Sequence, residues 1–239
     1  MPRNKCKTCA IRNVALCRAL PPEMLAEVNR IAHRRRIPVG GRLFDHDQQP
    51  PLVANIVSGV VRLSRSLADG RTQIVGLQFA PEFVGRPFAI RGPILVEAAT
   101  NVELCCFTRS HFDSLLRRHG RLQELLIEHI ARSLEQAREW MLVLGRKTAE
   151  ERVASLVLLC AERMRESNCG TAADLEGAYI ELPLSRTEMA DFLGLTLETV
   201  GRMIQRLARS GIIAIRPRRG LIITDPDALR LRAGQGDPQ

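Results

Sequence analysis

Aromatic residues are scarce in this chain, which has one Trp, one Tyr and seven Phe among 239 residues. Proteins that bind single-stranded nucleic acid stack bases on aromatic side chains, so the shortage disfavours that class. Long apolar runs are also missing. None approaches the ~20 residues of a membrane span, and no signal peptide precedes the first structured segment. We therefore expect a cytoplasmic protein with no membrane partner.

Catalytic groupings are missing too. The chain has five histidines, and none pairs with a recognisable nucleophile: His33, His46, His111, His119 and His129. The sequence therefore predicts no enzyme. Basic residues, in contrast, are in excess, and the net charge is +9. This balance favours a polyanionic partner without identifying one, because many housekeeping proteins are equally basic.

Three of the seven cysteines lie in a short basic arm (residues 1–18), as Cys6, Cys9 and Cys17. In a cytosolic protein this grouping favours metal binding, redox chemistry or burial over a disulfide framework. A zinc ion or an iron–sulfur cubane needs a fourth ligand, which Cys105 or Cys106 would supply. These two lie on a predicted strand, where neighbouring side chains point to opposite faces, so only one should face the arm. Spacing alone predicts a metal site without choosing zinc or iron.

Basic side chains accompany these thiols. They would moderate the negative charge of a thiolate site and favour ligation, and they are Lys5, Lys7, Arg12 and Arg18. A thiol oxidoreductase that uses the CxxC pair is an alternative from another class, although no βαβ pattern positions that pair. Of the other cysteines, Cys160 is expected in the core and Cys169 has no evident partner.

Residues 19–112 alternate short β-like runs with turn signals. Pro21 and Pro22 first start a short helix, and runs such as LVANIVSG, VVRLSRSL, RTQIVGLQF and VELCCF follow. Asp69-Gly70, between the second and third of these runs, is a strong hairpin signal. Turns at this spacing predict a compact antiparallel β-roll.

Residues 113–145 predict one long helix with an apolar seam. The apolar residues recur at intervals of four and three: Leu122, Leu126, Ile130, Leu134, Ala137, Met141 and Leu144. Such a stripe favours a coiled-coil seam between two copies of the chain. The alternative is a helix that packs only on its own β-roll.

Residues 146–239 are expected to form a second domain. An apolar helical pattern opens it at 149–164, a polar loop follows at 168–177, and the tail after Leu231 is expected to be disordered. Its centre is the stretch 182–223, in which two short helical patterns precede a hairpin rich in glycine and arginine.

The two helical patterns of this stretch carry their own start signals. Ser185 and Glu188 make a capping box, so the first helix should begin near Arg186. After a break at Gly194, Thr196 is a good N-cap for the second helix. The inward face of that helix would be apolar, with Val200, Met203 (or Ile204) and Leu207.

The outward face of the second helix is polar and mostly basic, with Glu198, Thr199, Arg202, Gln205, Arg206 and Arg209. This pattern is typical of a helix-turn-helix whose second helix enters a major groove. The hairpin at 212–223 would be a wing with arginines suited to phosphates: Arg216, Arg218 and Arg219. The sequence therefore predicts a reader of double-stranded DNA. General nucleic-acid packaging without a preferred site is the alternative.

The order of cysteine arm, β-roll, seam helix and winged helix-turn-helix resembles the CRP/FNR family of bacterial transcription regulators over essentially the whole chain. Four segments carry the resemblance: CKTCAIRNVALC in the arm, DGRTQIVGLQFAPEFVGRPF at 69–88, TAEERVA at 148–154 and SRTEMADFLGLTLETVGRMIQRL at 185–207. The likeness is greatest to the oxygen-sensing, FnrL-type branch. It implies an α+β fold with an N-terminal β-roll of the cyclic-nucleotide-binding type, a dimerisation helix and a C-terminal winged helix-turn-helix.

In this family such an arm and one cysteine of the roll hold an oxygen-labile [4Fe–4S] cluster. The resemblance therefore implies Cys6, Cys9 and Cys17 as ligands, with Cys105 as the fourth and Cys106 as its alternative. An intact cluster would favour the dimer that binds DNA, and oxygen would dismantle it. A regulator of the same family with a structural Zn²⁺ or a thiol-redox arm is the other reading.

The residues that the resemblance places against DNA are Arg186, Thr196, Glu198, Thr199, Gly201, Arg202 and Arg206. Glu198 and Arg202 would read a core G·C step, and Arg186 and the two threonines would hold phosphates. Gly201 stands where the oxygen sensors usually have Ser, which removes one base contact. The implied partners are double-stranded DNA with a palindromic TGA-like core, a second copy of the chain and RNA polymerase.

The resemblance argues against a cyclic nucleotide. Nucleotide-binding members place an Arg-Ser/Thr pair after the acidic loop of the roll, whereas residues 88–93 read FAIRGP and contain no such pair. A nucleotide phosphate would lack its anchor. We therefore expect no cyclic nucleotide.

Overall fold

The structure is a computed structural model, and it describes residues 6, 8–44, 52–85, 94–167 and 175–235. The chain divides into two compact units. The first comprises residues 1–69 and 75–135, and the second comprises residues 70–74 and 136–239. The segment 88–93 and Cys169, on which two of the predictions rest, lie outside the described residues.

The described residues of the N-terminal half form eight strands: β1 (His33–Ile37), β2 (Arg42–Phe44), β3 (Leu52–Ser58), β4 (Val60–Ser66), β5 (Thr72–Phe79), β6 (Phe83–Val84), β7 (Leu95–Ala98) and β8 (Val102–Thr108). They form two four-stranded sheets, in the orders β1-β8-β3-β6 and β2-β7-β4-β5. Asp69-Gly70 lies in the turn between β4 and β5, and Gly70 has the positive φ of 89° that such a turn requires. The predicted β-roll and this hairpin are confirmed.

The helices are a 3₁₀ turn (Leu16–Ala19), α1 (Pro22–Ile31), α2 (Arg109–Arg118), α3 (Gly120–Arg146), α4 (Ala149–Ser167), α5 (Arg186–Leu193), α6 (Leu197–Arg209) and α7 (Pro226–Arg232). The prediction of one helix over 113–145 is wrong. His119 has an extended backbone (φ −135°, ψ 99°) and separates α2 from α3. Apolar residues recur on both sides of His119, so their spacing did not reveal the interruption.

The core of the first unit consists of two clusters on opposite faces of β8. Cys105 lies in one, with Leu16, Leu25 and other apolar residues of the arm and α1. Cys106 lies in the other, between the two sheets, and is 1% exposed. The expectation that only one of these neighbours faces the arm is confirmed, and that one is Cys105.

The apolar seam of α3 divides between two environments. Leu122 and Leu126 are buried in the core of the first unit. For these two residues, the alternative of a helix that packs on its own chain is therefore correct. Ile130, Leu134 and Met141 are more than half exposed, at 54%, 51% and 72%. Ile127 is exposed as well and lies seven residues before Leu134, at the same heptad position. The seam that is free to pair therefore begins at Ile127, later than predicted.

The second unit contains the predicted helix-turn-helix and hairpin. Strands β9 (Tyr179–Glu181), β10 (Ile213–Ile215) and β11 (Gly220–Ile223) form a sheet in the order β10-β11-β9, and β9 had not been predicted. Within this unit Trp140 of α3 packs on Phe192 of α5, with ring centroids 4.5 Å apart. Cys160 is fully buried in α4, as expected.

The expectation of disorder after Leu231 is wrong for the first four residues beyond it. Helix α7 continues to Arg232, and Ala233 is fully buried. The carbonyl of Ala233 accepts hydrogen bonds from Lys147 Nζ and from Ser155 Oγ, 3.3 Å away. Its position near a terminus suggested a free tail, but a buried carbonyl with two donors holds this segment in place. In the ranges that the structure covers, no helix combines the length and hydropathy that a membrane span needs.

Candidate functional site

The arm brings its cysteines to one cavity of the first unit. Residues 9–15 turn back on themselves, with hydrogen bonds from Arg12 N to Cys9 O (3.1 Å) and from Ala15 N to Ile11 O (2.8 Å), and the 3₁₀ turn follows. Cys6, Cys9, Cys17 and Cys105 line this cavity, whose space is about 440 Å³ including the part open to solvent. The four thiols that the sequence singled out therefore lie together, and Cys106 is not among the lining residues.

Burial keeps most of these thiols protonated when nothing is bound. Burial, together with the smaller effects of the neighbouring Cys105, Cys6 and Cys9 thiols, raises the pKa of Cys17 to about 12. Burial likewise raises the pKa of Cys105 to about 12, although Arg34 opposes the shift. The pKa of Cys6 is also raised by burial and by Cys9, against the pull of Arg34 and Arg12. These cysteines are therefore close enough that a thiolate at one position disfavours ionisation of its neighbours.

Three adjacent strands place two polar side chains beside these sulfurs. The register pairs Cys105 of β8 with Arg34 of β1 on one side and with Asn55 of β3 on the other. Arg34 Nη2 donates to Cys9 Sγ at 3.2 Å, and Asn55 Nδ2 lies 3.7 Å from Cys17 Sγ as a donor. The sequence analysis missed both residues. The available signal for Asn55 was a lone amide inside the apolar run LVANIVSG.

The polar atoms of these two residues are incompletely satisfied. Asn55 is 2% exposed, and its Oδ1 has no hydrogen-bond partner. Arg34 Nη1 is buried without a hydrogen bond, although it lies 3.3 Å from Glu103 Oε1 as an ion pair. Buried polar atoms without a hydrogen-bond partner are rare in folded proteins, where ordered water or a bound ion often satisfies them.

The predicted basic surroundings are partly present. Arg12 lines the cavity and lowers the pKa of Cys6. Arg18 instead forms an ion pair with Glu128 of α3, with an N–O distance of 3.6 Å. Lys5 and Lys7 lie outside the described residues. Arg34, which sequence reasoning did not select, supplies the cation that contacts a thiol.

The recognition helix of the second unit is defined by its caps. Ser185 Oγ accepts from Glu188 N at 3.3 Å, and Glu188 Oε2 accepts from Ser185 N at 2.6 Å, which completes the capping box at the start of α5. Gly194 ends α5 in the left-handed conformation, with φ 62°. Thr196 Oγ1 then accepts from Thr199 N at 3.2 Å and starts α6. All three local predictions are confirmed.

The two faces of α6 differ as predicted. Val200, Met203, Ile204 and Leu207 are buried. On the other face, Arg202 Nη2 donates to Thr199 Oγ1 at 3.4 Å, and that oxygen is 3.1 Å from Thr196 Oγ1. Hydrogen bonds from its own backbone N–H and from Thr196 lower the pKa of Glu198, so its carboxylate is charged at the helix N-terminus. These exposed side chains are held in order rather than free.

The remaining predicted DNA-facing residues occupy different surroundings. Arg186, at the start of α5, is half-buried, and its Nη1 contacts Met189 Sδ at 3.5 Å. Gly201 leaves open space where a side chain would stand. Arg206 is 63% exposed, yet its Nε forms an ion pair with Glu150 Oε2 of α4 at 3.1 Å. Glu150 was not selected from the sequence.

The hairpin after α6 presents its arginines at a tight turn. Strands β10 and β11 pair Ile213 with Ile223 and Ile215 with Leu221. In the turn between them, Arg218 and Arg219 adopt positive φ values of 56° and 65°, which non-glycine residues rarely do. A Cβ at Gly220 would meet the Tyr179 ring at 2.8 Å, so a larger residue there would displace that exposed ring. The predicted wing hairpin is therefore confirmed, while its contact with phosphates stays a prediction.

Both units match families of known proteins. A model of the Crp-like helix-turn-helix domain matches residues 151–232, and one of the cyclic nucleotide-binding domain matches residues 34–119. A probable transcriptional activator of Rhizobium leguminosarum bv. viciae is 43% identical, over 94% of this chain and 91% of its own. The transcriptional activator protein FnrL of Cereibacter sphaeroides is 39% identical, over 97% of this chain and 92% of its own. The chain belongs to the CRP/FNR family of transcriptional regulators.

Solved structures of other proteins share this fold. The structure of FixK2 from Bradyrhizobium japonicum superposes with a TM-score of 0.73 at 28% identity, over 84% of this chain and 96% of that one. A CooA mutant from Carboxydothermus hydrogenoformans reaches a TM-score of 0.67 at 18% identity, over 87% and 90%, which supports the fold alone. The cyclic nucleotide-binding model identifies the β-roll. It does not test whether a nucleotide binds, since residues 88–93 lie outside the described ranges.

Proposed function

We propose that this CRP/FNR-family protein is a homodimeric transcriptional activator whose binding to DNA responds to oxygen through a [4Fe–4S] cluster. The observation that carries the proposal is the convergence of Cys6, Cys9, Cys17 and Cys105 on one cavity. Three of these cysteines come from the arm and one from β8. Together they would supply the four thiolates that a [4Fe–4S] cluster requires. The relative named FnrL is a transcriptional activator and matches nearly the whole chain.

The residues around the cavity fit such a cluster. Its four-thiolate form carries about −2 by formal charge, which Arg34 and Arg12 would offset. Arg34 and Asn55 already direct N–H groups at two of the sulfurs, and hydrogen bonds to sulfur tune cluster potentials. Cys105 is the proposed fourth ligand, because Cys106 faces the other core cluster. The cluster would supply the oxygen-reactive group, and the chain would hold the arm against β8 through it.

A zinc ion suits the cavity less well. Four thiolates on one zinc would each lie about 2.3 Å from it. Among the residues that the structure describes, no three His, Cys, Asp or Glu side chains are arranged to hold a metal ion. In a four-iron cluster each thiolate binds a different iron, so the thiols need to line a common cavity rather than meet at one point.

The free part of α3 supports a homodimer. Ile127, Ile130, Leu134 and Met141 expose a heptad-spaced apolar stripe, which in a soluble protein marks an interaction surface. A second copy of α3 is the simplest partner, since an operator-binding helix-turn-helix works in two-fold pairs. On a palindrome with TGA-like half-sites, α6 of each subunit would enter a major groove, with Glu198 and Arg202 at the base edges and Arg186, Thr196 and Thr199 near phosphates. Because its target is DNA, we place the protein in the cytoplasm, with RNA polymerase as a further partner.

Iron and acid-labile sulfide measured on anaerobically purified protein would test this proposal. We expect about four of each per subunit, with a broad visible absorption band that bleaches in air and a loss of dimer as it bleaches. Stoichiometric zinc without iron would overturn the oxygen-sensing part and leave a family regulator with a structural metal. Insulin-reduction turnover would instead support a thiol oxidoreductase.

A further inference from the structure

A buried carboxylate joins three helices of the second unit. Glu150, in the first turn of α4, has a side chain that is only 13% exposed. Its Oε2 pairs with Arg206 Nε of α6 at 3.1 Å, and its Oε1 accepts from Arg232 Nη1 of α7. One carboxylate therefore occupies both of its oxygens with arginines from two different helices.

The position of Arg206 indicates what this arrangement can do. Arg206 lies eight residues after Glu198 on α6, which at 1.5 Å per residue is about 12 Å along the helix axis. That distance is about the width of the major groove, so when Glu198 is at a base edge Arg206 reaches the flanking sugar–phosphate chain. The contact with Glu150 runs through Nε, and within the described ranges neither Nη group donates a hydrogen bond to the protein. They are free to bind a phosphate.

Holding one edge of a guanidinium makes its other edge a better anion site. An exposed arginine loses much rotamer freedom when it binds, and an arginine that is already oriented loses less. The Glu150 carboxylate does not cancel the local positive charge, because two arginines share it. Arg232 in turn restricts Glu150 and so links the C-terminal helix to the recognition helix.

We propose that Glu150 is a positioning residue for DNA binding: braced by Arg232, it orients Arg206 of the recognition helix toward a backbone phosphate of the DNA. This inference rests on the proposed DNA-binding function and adds to it a residue that never touches DNA. It also gives the C-terminal helix α7 a part in DNA affinity. We name the three side chains the Glu150 brace.

A double-mutant cycle tests the brace. Full-length protein, prepared anaerobically, is titrated with a short duplex that carries a TGA-containing palindrome and with a scrambled duplex, over a range of salt concentrations. We expect Arg206→Gln to lower the slope of log affinity against log salt by about 0.9 per subunit, since one phosphate contact is lost. Glu150→Gln should weaken binding about five-fold when Arg206 is present, the size of a coupling near 1 kcal/mol. In the Arg206→Gln background it should not weaken binding at all.

The controls separate a brace from a simple charge effect. Glu166→Gln removes the same charge from an exposed ion pair on the same helix and should leave affinity unchanged. If Glu150→Gln changes affinity by the same factor in both backgrounds, it acts as a distant charge or through stability, and the inference fails. If it tightens binding when Arg206 is present, Glu150 competes with DNA for that arginine, which also overturns the inference.

A second variant guards against misfolding. Should Glu150→Gln lower the thermal unfolding midpoint sharply, Arg232→Gln replaces it, because Arg232 is 43% exposed and α7 lies at the end of the chain. We expect a smaller loss of affinity, again only with Arg206 present, and equal losses in both backgrounds would refute the brace. Wild-type protein that fails to bind the palindrome would refute the proposed DNA-binding function instead, so the two failures are distinguishable.

Discussion

The thiol cavity and the recognition helix differ in what they need from outside the chain. On α6, caps and side-chain hydrogen bonds already hold Thr196, Thr199 and Arg202 in order, and the face is exposed to solvent. In the cavity, Cys105 is buried and the other three cysteines are half-buried. Burial raises the pKa of Cys17 and of Cys105 to about 12, and Asn55 Oδ1 and Arg34 Nη1 lack hydrogen-bond partners. One region is complete as folded, whereas the other would be completed by the cofactor of the proposed function.

This difference is what a regulator requires. A surface that is already formed can bind DNA whenever two copies are correctly paired, so it need not itself respond to the signal. A site that depends on its ligand for order changes stability when that ligand is lost, and the change can bias a two-state equilibrium. The predictions below test each half of that contrast.

Removal of a single cavity thiol should have the largest effect. Cys17→Ala and Cys105→Ala each delete a proposed ligand, so we expect loss of nearly all iron from anaerobically prepared protein. Cys106→Ala is the matched control, because Cys106 lies in the other core cluster and should keep full iron content. Iron retained in Cys105→Ala but lost in Cys106→Ala would reverse the assignment of the fourth ligand.

A charge in the exposed stripe of α3 should separate iron binding from DNA binding. Leu134→Glu places a carboxylate where two copies would meet, and an unpaired buried charge costs about 3–5 kcal/mol. We expect a monomer by analytical ultracentrifugation and affinity for the palindrome lowered about a hundredfold or more, with iron content unchanged. Leu142→Glu, exposed but outside the heptad positions, is the control and should remain dimeric.

Truncation of Arg202 should affect DNA alone. The guanidinium is the proposed reader of guanine, a contact worth about 1–3 kcal/mol per half-site. We expect Arg202→Ala to weaken binding to the palindrome by at least about tenfold while affinity for a scrambled duplex changes little. Equal losses on both duplexes in a fluorescence anisotropy titration would make Arg202 a phosphate contact rather than a base reader.

A local cap should give the smallest effect, and it depends on pH. Glu151 Oε2 accepts from Thr148 N (2.7 Å) and from Thr148 Oγ1 (2.8 Å), and these bonds lower the pKa of Glu151. A lowered pKa means that the carboxylate stabilises the folded protein above its ordinary pKa and loses this contribution as pH falls through the folded value. We expect Glu151→Gln to cost about 0.5 kcal/mol at pH 7, because the group is exposed, and less near pH 3.

Urea unfolding at the two pH values measures this difference. Thr148→Ala should remove the same stabilisation, so the double variant should be no less stable than either single one. Additive losses would mean that the two side chains act separately.

Those caps are also the part of the structure that the sequence predicted best. A capping box spans four residues and a glycine C-cap needs one, so Ser185, Glu188 and Gly194 set the ends of α5 without tertiary information. Three of the cavity thiols were equally local, because Cys6, Cys9 and Cys17 lie within twelve residues. Strand alternation predicted that only one of Cys105 and Cys106 faces the arm, and the family resemblance selected Cys105.

The rest depended on contacts between distant segments. Arg34 and Asn55 flank Cys105 only because β1 and β3 pair with β8 in one particular register, which links residues 71 and 50 positions apart. The prediction of the α3 seam was partly wrong for a related reason. An apolar period has the same form whether the helix covers its own core, as at Leu122, or faces a partner, as proposed for Leu134. Glu150 was invisible because its two arginines lie 56 and 82 positions away.

The packing of Trp140 on Phe192 gives the molecule a built-in optical probe. This tryptophan is the single one in the chain, and it lies where the C-terminal part of α3 contacts the first helix of the DNA-binding module. Its emission therefore reports one defined contact, without labels and without background from other indoles. Oxygen pulses and DNA titrations could both be followed in real time by this one fluorophore, on unmodified protein.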